Sequence, residues 1–160
     1  MLLVSACLLG LNTKYNGGHN LNSKVYSLGR RVPLVPVCPE QLGGLPTPRM
    51  PAEIQGGDGG DVLAGRSRVI TQDGRDCTEE FLCGARETLK TVMASGVLAA
   101  LFKARSPSCG NCGIYDGSFN GITRDGAGVA AAMLLAKGIP VFNEEQLESL
   151  EQFLSKTALI

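Results

Sequence analysis

The sequence has no excess of charge of either sign. Fifteen Lys and Arg balance fifteen Asp and Glu, for a formal net charge of zero. A protein that grips a nucleic-acid backbone usually shows a basic excess or a basic stripe. The neutral balance therefore turns the reading toward a small or uncharged substrate. Long apolar runs are also missing, since nothing approaches the ~20 consecutive residues of a membrane-spanning helix. The opening "MLLVSACLLGLN" lacks the basic region and small-residue cleavage site of a secretory leader and reads as a buried strand. The expected location is the cytoplasm, a reducing compartment in which structural disulfides are rare. Histidine is almost absent: His19 stands alone beside glycines and reads as a solvated loop residue. The segment "GGDGGD" (Gly56 to Asp61) lacks the Gly-Lys-Ser/Thr of a phosphate loop and reads as a mobile surface loop. No internal repeat or long linker divides the 160 residues, so residues 1–160 are expected to form one domain.

What is present is globular in composition, with 44% apolar and 19% charged residues. Short apolar runs read as strands at Leu2 to Cys7, Leu34 to Cys38, Val97 to Ala104 and Ile139 to Phe142. The prolines of the second run push it toward a sheet edge. "RVITQDGRD" reads as a short strand and turn. Helical spacing is clearest in "TEEFLCGARETLKTVMAS", with Thr78 or Asp76 as a cap and Gly96 suited to C′. "LNSKVYSLGRR" shows weaker helical spacing. "GAGVAAAMLLAKG" and "NEEQLESLEQFLSK" add two more helices, the latter with Asn143 and Gln146 spaced like a capping box. Residues 41–60, dense in Gly and Pro, read as a long irregular loop. Strands alternating with helices predict an α/β, Rossmann-like three-layer fold with a mainly parallel sheet of about four to five strands.

Six cysteines in a reducing compartment need an account other than disulfides. Cys77 and Cys83, at the start of and within a helix, read as partly buried small apolar side chains. Cys7, Cys38 and Cys109 differ, because each follows a strand. Sites in open α/β sheets lie beyond the carboxyl ends of the strands, so topology alone brings these three to one edge. Three thiolates suit a zinc ion with one open position, or a 4Fe-4S cluster with one iron left free. Cys109 is also half of a C-x-x-C pair with Cys112. Two rivals follow: a redox dithiol, or a structural zinc module closed by all four of these cysteines.

Taken together, "SACLLG" with "YNGGH" (Ser5 to Gly10, Tyr15 to His19), "VCPEQLGGLPTPR" (Val37 to Arg49) and "SPSCG…IYDGSF" (Ser106 to Phe119) resemble the thiouracil desulfidases. The late "GVAAAMLLAKGIPVFNEEQL" extends the resemblance over nearly the whole chain. The resemblance implies an oxygen-sensitive 4Fe-4S cluster held by Cys7, Cys38 and Cys109, with one iron not bound by protein. It implies replacement of the sulfur of a thiolated pyrimidine by oxygen, with release of sulfide. It implies that Glu40 is a catalytic carboxylate and Ser106 a catalytic or substrate-orienting hydroxyl. Tyr15 and Ser108, inside the same motifs, are the expected substrate contacts. The extra domain of relatives that act on thiolated tRNA is not seen, which favours a free thiolated base or nucleoside over tRNA. Two positions depart from the family pattern: Lys14-Tyr15-Asn16 stands where Arg-Tyr-Asp is expected, and Cys112 is additional.

Overall fold

The computed structural model describes residues 1–157; of the span expected as one domain, 158–160 lie outside the described residues. Its centre is a parallel four-stranded sheet built from β1 (Leu2–Ser5), β2 (Leu34–Val37), β5 (Ala99–Phe102) and β8 (Val141–Asn143), in the order β2-β1-β5-β8. This is the α/β architecture expected. β2 carries Pro36 and lies at the sheet edge, where a strand residue without an N–H is tolerated.

Both faces of the sheet are covered, so β1 and β5 are buried along their whole length. Leu2, Val4, Ala99 and Leu101 face one layer, packing with Val25 and Leu28 of α1 (Ser23–Leu28) and with Leu150 and Leu154 of α6 (Leu147–Lys156). Leu3, Ala100 and Phe102 face the other, packing with Phe81, Ala85 and Val92 of α4 (Thr78–Ser95) and with Ala130 and Leu134 of α5 (Val129–Ala136). Each fully buried Leu or Phe contributes about 1.5–3 kcal/mol, which makes these two layers the main source of stability. α4 ends as expected at Gly96, in the left-handed conformation with φ 63°.

The structure corrects three readings and adds a hairpin. The stretch 41–60 is not one loop. It holds the end of α2 (Pro39–Leu42), the strand β3 (Ala52–Gln55) and the start of α3 (Gly59–Leu63). β3 forms only because β4 (Arg68–Thr71) pairs with it antiparallel, a tertiary cause that local composition hides. "GGDGGD" is a helix start, where Asp58 and Asp61 form a reciprocal capping box. A second hairpin, β6 (Gly113–Tyr115) with β7 (Thr123–Asp125), lies in a stretch with no strand signal. Asn143 is the last residue of β8; Gln146 accepts its N–H, and its own side chain accepts from Glu145, not from the first turn of α6.

Two glycines set the position of α2. A Cβ on Gly84 of α4 would stand 2.0 Å from the Pro39 carbonyl, and one on Gly43 would stand 1.9 Å from the Glu80 carbonyl. Glycine inside a helix ordinarily costs about 1 kcal/mol against Ala. Here it lets the backbone of α2 rest directly on α4. Gly84→Ala should destabilise the chain by about 1–3 kcal/mol in urea unfolding, by overpacking. Met93→Ala, at a position of the same helix that is 76% exposed, should change stability by less than about 0.5 kcal/mol.

Candidate active site

The first crossover runs from β1 to β2, and the later strands lie on the far side of β1. The chain order therefore reverses between β1 and β5, and the crevice beyond their carboxyl ends is where such folds bind ligands. Cys7 sits just past β1, in a 3-10 turn (Ala6–Leu9). Cys38 is the N-cap residue of α2, just past β2. Cys109 lies seven residues past β5, and the loop that holds it is fixed by α5. α5 has no side-chain cap. Its leading N–H groups are met by loop carbonyls instead: Gly128 donates to Gly110 (2.7 Å), Val129 to Pro107 (2.9 Å) and Ala131 to Ser108 (3.0 Å). The orphan donors of a helix start thus hold the Cys109 loop in place.

All three cysteines line one cavity of about 590 Å³, together with Glu40, Arg49, Glu53, Ser106, Ser108, Tyr15 and Phe119. Burial raises the pKa of Cys7 and Cys38, while the Asn20 side chain opposes the shift at Cys7. Burial, aided by the neighbouring sulfurs of Cys38 and Cys7, pushes the Cys109 thiol up to about 12. Three thiols whose charged forms repel one another across a shared cavity are a donor set for a soft cationic group.

Glu40 is held on both sides. Its Oε2 accepts from Arg49 Nε at 2.6 Å, and its Oε1 accepts from Ser108 Oγ at 3.1 Å. Arg49 also donates to the Thr13 carbonyl (3.0 Å) and the Thr47 hydroxyl (2.9 Å), and lies 3.9 Å from Cys38 Sγ. The two charged side chains are only 7% and 14% exposed. Ser108 Oγ lies 3.8 Å from Cys109 Sγ and so joins the carboxylate to a thiol. Ser106 lines the cavity too, but its Oγ accepts the N–H groups of Ser108 (3.2 Å) and Cys109 (3.1 Å). It faces Ser108 Oγ at 3.3 Å rather than Glu40. Tyr15 lines the cavity and is 42% exposed.

Cys112 stays apart from this group. It is exposed, does not line the cavity, and accepts from Asn143 Nδ2 at 3.7 Å. A zinc site closed by four cysteines has no fourth ligand there. Among the described residues no three of His, Cys, Asp and Glu converge on a single metal ion. Each thiolate of a cubane binds a different iron, so a cluster does not require such convergence. Cys77 is buried and donates to the Val69 carbonyl at 3.5 Å, as a core thiol. His19 is exposed, and its Nδ1 accepts from the Leu21 N–H.

Two cavity residues had no sequence signal of their own. Arg49 closes the quoted Pro-rich motif, and only its position there could have suggested a role. Glu53 lies in a strand hidden by the surrounding glycines.

The fold and this cavity define an α/β protein with a cysteine-lined site at the switch point of a parallel sheet. Residues 2–146 match the model of the 2-thiouracil desulfurase family, and the chain belongs to that family. YbbK of Bacillus subtilis (strain 168), described as uncharacterized, is 43% identical over 150 residues, 94% of this chain and 99% of the relative. A solved structure described as the 4Fe-4S-dependent thiouracil desulfidase TudS is similar with a TM-score of 0.85 at 42% identity, covering 96% of this chain and 97% of that one.

Removing one member of the Glu40–Arg49 pair leaves the other charge buried. Arg49→Met should cost about 3–5 kcal/mol in denaturant unfolding, and the double change Glu40→Gln/Arg49→Met should recover most of that loss.

Proposed function

We propose that the chain is a 4Fe-4S-dependent desulfidase that replaces the sulfur of a thiolated pyrimidine by oxygen and releases sulfide. The observation that carries this reading is the meeting of Cys7, Cys38 and Cys109 in one cavity with a carboxylate, Glu40, already oriented toward it. Family membership and the likeness to TudS support it. The three cysteines would hold the cluster. When bound, it supplies a Lewis-acidic iron, free of protein ligands, that draws electron density from the thiocarbonyl.

The remaining steps fall to this chain's own side chains. Glu40 takes a proton from a water molecule, and that water's oxygen bonds to the ring carbon. The C–S bond then breaks and sulfide leaves, so the net reaction exchanges water for hydrogen sulfide with no change of oxidation state. Arg49 holds one carboxylate oxygen, which fixes the rotamer and supplies a charge-assisted hydrogen bond in a confined site. Ser108 donates to the other oxygen and is the nearest hydroxyl to return a proton. Ser106 holds the turn that presents both Ser108 and Cys109. The volume of the cavity suits a base or nucleoside, and the neutral charge balance suits such a substrate better than tRNA.

Anaerobic purification with iron and sulfide analysis tests the reading, and about four of each per chain is expected. Cys7→Ser, Cys38→Ser and Cys109→Ser should each lose iron, and Cys112→Ser should keep it. Normal iron in all three of the first set would end the cluster assignment. Glu40→Gln should keep the visible spectrum and lose at least about 100-fold in sulfide release from thiouracil. Full turnover in that variant would remove Glu40 from the mechanism.

A further inference from the structure

Glu53 is a carboxylate for which the steps above have no use. It lies in β3, is 8% exposed, and lines the same cavity. Among the described residues it has no ion pair. Its Oε2 accepts two backbone N–H groups, from Gly117 at 2.9 Å and from Phe119 at 3.0 Å. These belong to the tip of the β6–β7 hairpin, which is pressed onto β3. A Cβ on Gly117 would stand 2.6 Å from the Ile54 carbonyl, so only glycine fits there. Phe119, held in the left-handed region at φ 58°, lines the cavity as well. Such a conformation is unusual for a bulky residue and persists when its surroundings enforce it.

The other oxygen of Glu53 is free. Oε1 has no hydrogen-bond partner among the described residues, yet it is not among their fully enclosed, unpaired polar atoms. It therefore keeps open surface, and the open space beside this nearly buried side chain is the cavity. Glu40 differs, because both of its oxygens already have protein partners. A confined carboxylate with one free oxygen is an acceptor awaiting a donor.

We propose that Glu53 is the specificity-determining residue of this site: Oε1 accepts a hydrogen bond from the N3–H of the pyrimidine ring, while Oε2 fixes the hairpin tip that brings Phe119 to the cavity. The inference rests on the reading above and narrows its substrate class. N3–H is the donor common to free bases and nucleosides, whose N1 carries the sugar. A site built around an acceptor rejects an analogue that lacks the donor, because the carboxylate is then left unpaired.

The test compares parent and N3-methylated ligands on anaerobically purified holoenzyme. Calorimetry with uracil and 3-methyluracil reads binding, and sulfide release from thiouracil and its N3-methyl derivative reads KM. In the wild type, methylation should weaken binding and raise KM by about tenfold to 100-fold. In Glu53→Gln, an amide N–H replaces the free acceptor, so the parent should weaken to the level of its methylated form. The amides of Gly117 and Phe119 should stay protected from hydrogen exchange in Glu53→Gln and lose protection in Glu53→Ala. Equal affinity for both ligands in the wild type would overturn the proposal, as would undiminished discrimination in Glu53→Gln or failure of uracil to bind. Sulfide release together with any of these results would leave the desulfidase reading standing. Discrimination in calorimetry without sulfide release from any thiolated pyrimidine would sustain the role of Glu53 and fail that reading.

Discussion

The controlling constraint is a crowding of potential negative charge. Three thiols and two carboxylates share one cavity, and among the described residues Arg49 is the only cation bound directly to either carboxylate. Burial favours the protonated form of all three thiols, and neighbouring sulfurs add repulsion at Cys7 and Cys109. A cationic group that binds them must displace those protons, and it relieves the repulsion as it does so. The scaffold therefore has to hold ligands that disfavour one another until the group arrives. It does so with backbone contacts rather than side-chain packing alone. α2 rests on α4 through Gly43 and Gly84, and the Cys109 loop is clamped by the first N–H groups of α5.

That division explains how much could be read in advance. The four core strands and the large helices carry their own hydrophobic periodicity, so the α/β class and the placement of Cys7, Cys38 and Cys109 at the strand ends were legible. β3, α3 and the β6–β7 hairpin were not. Each is only three to five residues long, and the two hairpin pairings owe their existence to a partner segment. Gly and Pro around them signal irregular backbone whether or not a partner exists. The division of labour between Ser106 and Ser108 was hidden for another reason. Two serines flanking one proline are equivalent in a string, and only the fold shows that Ser106 accepts from the turn while Ser108 reaches Glu40.

The C-x-x-C spacing shows the opposite error, a strong local signal with little behind it. Cys109 and Cys112 are three apart but turn to different neighbours. Between them, Asn111 donates to the Val141 carbonyl (2.8 Å) and to Gln146 (2.7 Å), and it accepts from Asn143 (2.8 Å). This network ties the far half of the loop to β8 and the lead-in to α6. Cys112 is carried outward with it, and Cys109 remains inside. No helix begins at the pair, so the N-terminal dipole that lowers the pKa of a redox cysteine is missing. In the fold, Cys109 belongs with the distant Cys7 and Cys38 more than with its neighbour.

The two carboxylates of the cavity show how partners decide chemistry. Glu40 meets a guanidinium and a hydroxyl, so its charge is balanced and its position fixed. Glu53 meets only backbone N–H groups, through one oxygen. Backbone amides do not exchange roles as a hydroxyl does; they anchor the group and leave it an acceptor. On the roles proposed above, one carboxylate serves proton transfer and the other recognition. A ring bound through N3–H at Glu53 would hold the carbons on either side of that nitrogen in the same cavity as Glu40. Since both ring carbons that bear sulfur in thiouracils flank N3, a single recognition contact can serve substrates thiolated at either position.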